Sequence, residues 1–91
     1  MKIDLQLYAD VATPEEIRRG EAAAWAVFEA AEVNPWAAAE AEIKQSGKKE
    51  EITDEEAVLA KLWRKAVFQA TEACCGTWKT EPHHINLVLV R

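Results

Sequence analysis

Two copies of one helix-start signal constrain the fold of this chain more than any other feature. Thr13 precedes Glu16 by three residues, and Thr53 precedes Glu56 by the same spacing. In a capping box the threonine hydroxyl accepts a hydrogen bond from the third helical N–H, and the glutamate carboxylate accepts one from the threonine N–H. Each signal therefore predicts a helix N-terminus, and Pro14 suits the first helical position of the earlier helix.

Stop signals divide the middle of the chain into three helical segments. Proline cannot continue a helix, asparagine favours the cap of a new one, and glycine commonly terminates one. The predicted helices, each with the residues that end it, are 14–32 before Asn34-Pro35, 36–45 before Gly47, and 54–75 before Gly76. The second segment is alanine-rich, so its helical propensity is high.

Strand patterns occupy the two ends of the sequence. Residues 2–8 alternate between apolar and polar side chains, which is typical of a half-buried strand. Residues 85–90 are apolar except at Asn86, which predicts a strand covered on both faces. Pro82 argues against a central strand just before it, and a short strand over 78–80 is an alternative.

The order of strand, three helices and strand predicts a single α+β domain over residues 1–91. We expect two or three strands, N-terminal and C-terminal, to form a sheet with the three helical segments packed on one face. Two strands alone are marginally stable, and much of the 49% hydrophobic content is alanine, which buries little area. We therefore expect dimerisation to complete the sheet. The strand direction stays open, because a helical crossover also permits parallel pairing.

Residues 13–32 and 53–72 resemble each other, since eight of twenty aligned positions are identical. A duplication would explain this similarity. The alternative is that capping boxes and alanines recur in unrelated helices. Mapping the apolar face of the third helix onto the first predicts that the two helices pack as an antiparallel pair. The predicted faces are Leu59, Leu62, Trp63, Ala66, Ala70 and Ala73 in the third helix, and Ala22, Ala23, Ala26, Val27 and Ala30 in the first.

Three aromatic residues are the candidate interface residues, namely Phe68, Trp25 and Trp78. Phe68 falls opposite the predicted core face of the third helix, among charged side chains, and Trp25 falls beside glutamates on the first. An aromatic side chain on a charged face indicates either a lone surface hydrophobe or a partner surface. Ile17 and Phe28 are expected to lie on the sheet instead.

The residues best suited to catalysis or metal binding are Cys74, Cys75, His83 and His84. Two cysteines and two histidines are a zinc ligand set, but adjacent cysteines on a helix point about 100° apart and neither pair has the usual two-residue gap. The helix C-terminus also opposes formation of a thiolate. We expect structural thiols, no catalytic residue, no metal site and no cofactor.

A small-molecule site is the alternative function. Trp36 follows the Asn34-Pro35 break, where its indole is suited to close a pocket against the first helix. The candidate ligand-binding residues are therefore Trp36, His83 and His84, in a pocket between the helices and the sheet. Packing of the tryptophan in a satellite core is the competing interpretation.

Charge and hydropathy patterns restrict the function classes. With 11 Lys plus Arg and 16 Asp plus Glu, the net charge of −5 argues against a nucleic-acid partner. No apolar stretch approaches the roughly 20 residues of a membrane span. The N-terminal alternation is unlike a signal peptide, and adjacent cysteines do not make a disulfide framework, so we expect a cytoplasmic protein.

The leading hypothesis is a non-enzymatic protein–protein interaction or regulatory module that acts as a homodimer or other homo-oligomer, with a protein partner as a further option. Small size alone suggests a bacterial or mobile-element origin. Small-molecule binding ranks second. An acidic inhibitor that imitates nucleic acid ranks last, because a charge of −5 is modest and basic residues interrupt it.

Overall fold

A computed structural model describes residues 2–7, 12–47, 51–75 and 85–90. Along the chain, the elements are β1 (Lys2–Leu7), α1 (Pro14–Ala31), α2 (Pro35–Gly47), α3 (Asp54–Cys75) and β2 (Ile85–Val90). The helices pack on one face of a two-stranded sheet, which confirms the predicted α+β class. Gly76 and the optional strand over 78–80 lie outside the described residues.

Both predicted capping boxes are present. At the start of α1, the Glu16 N–H donates to Thr13 Oγ1 over 3.2 Å, and the Thr13 N–H donates to Glu16 Oε1 over 2.8 Å. At the start of α3, the Glu56 N–H donates to Thr53 Oγ1 over 3.1 Å, and the Thr53 N–H donates to Glu56 Oε1 over 3.3 Å. Each pair satisfies backbone donors that an uncapped helix leaves open.

The turn between α1 and α2 combines a left-handed residue with an asparagine cap. Glu32 has φ 54° and ψ 43°, and its N–H donates to the Glu29 carbonyl over 3.2 Å. This conformation at a helix C-terminus is normally occupied by glycine. The Trp36 N–H donates to Asn34 Oδ1 over 2.9 Å, so the asparagine caps α2 as the sequence predicts.

Replacing Glu32 by glycine is expected to raise the free energy of unfolding by about 0.5–1 kcal/mol. A left-handed residue with a side chain costs about 1–2 kcal/mol, and the greater freedom of glycine in the unfolded chain offsets part of the gain. Urea titration measures the change. Glu29→Gly, at an exposed helical position of α1, is the matched control and should lower stability by about 1 kcal/mol. Equal losses in both variants would contradict this account of the turn.

α1 and α3 pack through residues spaced four apart. The residues of this contact are Gly20, Ala24 and Phe28 on α1, and Ala66, Ala70 and Cys74 on α3. Gly20 lies against the later part of α3, whereas the Phe28 ring packs on Trp63 nearer its start. The helices therefore run antiparallel, as predicted.

The packing face predicted for α1 is wrong. The exposed members of that set are Ala22, Ala26 and Ala30, and the partly buried members are Ala23 and Val27. The buried row instead passes through Gly20, Ala24 and Phe28. The prediction transferred a face from α3 by sequence identity, and shared alanines do not report which side of a helix meets its neighbour.

The prediction for α3 is closer to the structure. Two of its six residues are fully buried and the other four are partly buried: Ala66 and Ala70, then Leu59, Leu62, Trp63 and Ala73. Three further buried residues were not predicted, namely Ala60, Thr71 and Cys74. The Thr71 hydroxyl donates to the Val67 carbonyl over 2.8 Å, so its burial leaves no unsatisfied donor.

Gly20 determines how closely α1 approaches its neighbours. A Cβ atom at this position would lie 2.6 Å from Leu5 Cδ1, 2.9 Å from the Ala70 carbonyl oxygen and 3.0 Å from Cys74 Cβ. The carbonyl belongs to a helix backbone, so it cannot swing aside as the end of a flexible side chain can. The missing side chain therefore lets α1, α3 and β1 meet at one point.

Gly20→Ala is expected to destabilise the protein. Overpacking costs about 1–3 kcal/mol, which exceeds the gain of about 0.5–1 kcal/mol in helix propensity. Urea titration again provides the free energy of unfolding. Gly47→Ala is the matched control, because a Cβ atom there meets nothing within 4 Å and should leave stability unchanged or slightly higher. The close approach would be refuted by a Gly20→Ala variant as stable as Gly47→Ala.

The two strands form an antiparallel pair in which Lys2 lies opposite Val90 and Leu7 opposite Ile85. The alternation predicted for β1 is confirmed at Ile3 and Leu5, which are buried in the core, while Asp4 between them is only partly buried. The core residues of the sheet are Ile3 and Leu5 from β1, and Leu87 and Leu89 from β2. In the described part of the chain the other face of β2 is only partly covered, because Val90 is 39% exposed.

Candidate functional site

Phe68 lies on the side of α3 that faces away from the core. Its side chain is 49% exposed, whereas Ala66 and Ala70, its neighbours in sequence, are fully buried. A residue advances about 100° around an α-helix, so Phe68 lies about 160° from both alanines. This exposure agrees with the sequence prediction that Phe68 is opposite the core face.

Phe68 belongs to a stripe of five exposed residues that we call the α3 outer face. Its members are Val58, Lys61, Lys65, Phe68 and Glu72. They are separated by alternating steps of three and four residues, which keep side chains on one side of a helix. Sequence reasoning missed Val58, which is 57% exposed, although this spacing could have revealed it. It also missed Ile43, which is 71% exposed on α2.

The charged side chains of the α3 outer face form no ion pair within the described part of the chain. Lys61, Lys65 and Glu72 take part in none of the ion pairs among those residues. All three side chains are exposed. The stripe therefore combines apolar side chains with charges that are open to a second molecule.

The adjoining side of α3 is occupied by α2. Arg64, which the sequence places near Phe68, instead donates from Nη1 to Glu42 Oε2 over 2.8 Å and to Gln45 Oε1 over 2.7 Å. The Lys44 Nζ donates to Glu56 Oε2 over 2.7 Å, and this hydrogen bond lowers the pKa of the Glu56 carboxyl. These contacts join α2 to α3. They lie on the side of α3 next to the outer face and do not include its members.

Trp25 sits at the edge of the core. Its ring lies 6.5 Å from the Phe28 ring at an interplanar angle of 81°, and Phe28 lies 6.1 Å from the Trp63 ring at 36°. Phe28 is 1% exposed, and Ile17 packs with it against the core that β1 and β2 line. Trp25 is partly buried, so it offers less free surface than Phe68, and its interface role stays a prediction.

Of the three predicted ligand residues, only Trp36 lies in the described part of the chain. Trp36 is partly buried in the first turn of α2. His83, His84 and the interface candidate Trp78 lie outside the described residues. The small-molecule pocket therefore stays a prediction.

Cys74 is fully buried in the core beside Gly20. A thiol enclosed by α1 and α3 is out of reach of a substrate in solution. Across residues 2–7, 12–47, 51–75 and 85–90, no group of three or more His, Cys, Asp or Glu side chains is placed to hold a metal ion.

The described helices include none that is both long and apolar enough to cross a bilayer. Comparison with known protein families, with curated proteins and with solved structures finds no match. The molecule is a small α+β protein in which α3 presents an exposed stripe of apolar and charged side chains.

Proposed function

We propose that this protein is a non-enzymatic protein–protein interaction or regulatory module that acts as a homo-oligomer. The observation that carries the proposal is the exposure of Phe68 on the α3 outer face. Aromatic side chains at the centre of an interface contribute a disproportionate share of binding energy. Charged residues around an apolar centre resemble the polar rim of such interfaces.

Phe68 stands apart from the other aromatic residues. Among the aromatic side chains that the structure describes, Phe28 is fully buried, and Trp25, Trp36 and Trp63 are partly buried. Only Phe68 in that set is exposed. Phe28 lies in the core, Trp25 and Trp63 pack against it, and Trp36 is partly buried on α2, so the exposure of Phe68 supports a role at the surface.

The core gives a second reason to expect association. Among the described residues, most of the buried hydrophobic side chains are alanines, and the largest fully buried ones are Phe28, Ile3 and Cys74. Small side chains remove little apolar area from water, and burial contributes roughly 25 cal/mol per Å². Small proteins with limited cores commonly gain stability from oligomerisation. A homo-oligomer would add buried area that one chain does not supply.

Completion of the sheet by dimerisation is a second candidate contact. The described sheet has two strands, and such a sheet is marginal on its own. Residues 85–90 contain no charged residue, and charges on an edge strand are a common protection against pairing. We prefer the α3 outer face as the contact, because Val58 and Phe68 are 57% and 49% exposed there, whereas Val90 on β2 is 39% exposed.

Phe68→Ser is expected to raise the dissociation constant of the homo-oligomer by about tenfold or more. Truncating a central interface aromatic costs about 2 kcal/mol, and about 1.4 kcal/mol corresponds to a factor of ten. Native mass spectrometry and sedimentation velocity over a concentration series measure the change. Val58→Ser is the matched control, because it removes a more exposed apolar side chain at the far end of the same face, about 15 Å along the helix from Phe68, and it should have little effect.

Val90→Lys distinguishes the two contacts. A lysine at the exposed end of β2 opposes strand pairing, so it should leave an assembly made through α3 intact. Loss of assembly in Val90→Lys but not in Phe68→Ser would move the contact to the sheet. A wild-type protein that stays monomeric at every concentration, with a small molecule retained in the mass spectrum, would favour the alternative ligand site near Trp36, His83 and His84.

A further inference from the structure

Around Phe68, the α3 outer face carries one charge of each sign. Lys65 lies three residues before Phe68 and Glu72 four residues after it, so the stripe from Lys65 to Glu72 spans about 10.5 Å of helix. Both charged side chains are exposed, and neither is in an ion pair within the described residues. A surface with an apolar centre and opposite charges at its two ends is complementary to a second copy of itself.

We infer that a second copy of the chain docks on this face, with the two α3 helices antiparallel and related by a two-fold axis beside Phe68. The inference rests on the proposed homo-oligomer and names its contact. The midpoint between positions 65 and 72 falls between Phe68 and Gln69. One axis therefore sets each Lys65 opposite Glu72 of the other copy and brings the two Phe68 rings together, where both leave water.

Charge and the position of Phe68 select this arrangement over three other ways of pairing two α3 helices. An antiparallel pair centred between positions 66 and 67 would set Lys61 opposite Glu72, but it would place each Phe68 opposite Lys65 instead of beside the other ring. A parallel pair in register would set Lys65 against Lys65 and Glu72 against Glu72. An antiparallel pair centred on position 63 would join Val58 to Phe68, but it would also set Lys61 opposite Lys65. Like charges facing each other across an interface oppose association. The antiparallel pair centred beside Phe68 joins opposite charges at both ends.

The same complementarity argues for a second copy rather than an unrelated protein as the occupant. Between Lys65 and Glu72, each charge on the stripe is matched by the opposite charge of the same stripe on a second copy. The two Lys65–Glu72 pairs would lie at the exposed rim of the interface. A rising salt concentration should therefore screen them and weaken the dimer. The apolar contact between the Phe68 rings should be less sensitive to salt.

Charge reversal tests the pairing. Lys65→Glu and Glu72→Lys should each raise the dimer dissociation constant by about tenfold or more, because symmetry places two like-charged pairs in every single-variant dimer. The double variant Lys65→Glu/Glu72→Lys restores opposite charges and should return to within about threefold of the wild type. Lys61→Glu makes the same change of charge on the same stripe, outside the pair, and is the matched control. Sedimentation velocity over a concentration series gives the constants, and circular dichroism checks that each variant is folded.

Mixing the two single variants provides a second readout. With one variant labelled with 15N, native mass spectrometry should show that Lys65→Glu and Glu72→Lys form a heterodimer in preference to either homodimer. Single variants that dimerise like the wild type, or a double variant and mixture without rescue, would overturn the inference and leave the proposed homo-oligomer standing on another contact. A wild-type protein that is monomeric at every concentration would overturn both.

Discussion

The close approach of α1 to α3 at Gly20 is the contact on which the rest of the structure depends. Gly20 brings the α1 backbone against the Ala70 carbonyl and Cys74, and Leu5 from the sheet reaches the same point. A larger residue would separate the two helices and lift β1 from them. Ala24 on α1 and Ala66 and Ala70 on α3 are therefore suited to their buried positions, because only small side chains fit between backbones held this close.

This contact gives α3 the central place in the molecule. One side of α3 meets α1, the adjoining side is joined to α2 through Arg64 and Glu56, and the end near Cys74 approaches the sheet. A helix with neighbours on these sides has one side left, and that side carries Phe68. The outward position of Phe68 therefore follows from the arrangement of the helices.

Local signals in the sequence were sufficient to predict the elements, and they were insufficient to predict how the helices pack. The threonine caps, the Asn34 cap and the β1 alternation depend on interactions within a few residues, and the sequence is sufficient to predict such interactions. The structure confirms all three. The face of α1 depends on Gly20, whose importance appears only when α3 and Leu5 lie beside it. The exposure of Phe68 could be predicted because the opposite face of α3 is apolar. The molecule that binds at Phe68 could not be predicted from the sequence.

Phe28 and Phe68 show why matching residues need not have matching roles. They occupy equivalent positions in the two similar segments, yet one is 1% exposed and the other 49%. Burying a phenylalanine is worth about 1.5–3 kcal/mol, a considerable part of the roughly 5–15 kcal/mol that holds a domain together. A chain with few large apolar side chains forgoes part of that stabilisation while Phe68 stays in water. The proposed association through α3 would recover it, and this would connect the small core to the exposed Phe68 ring.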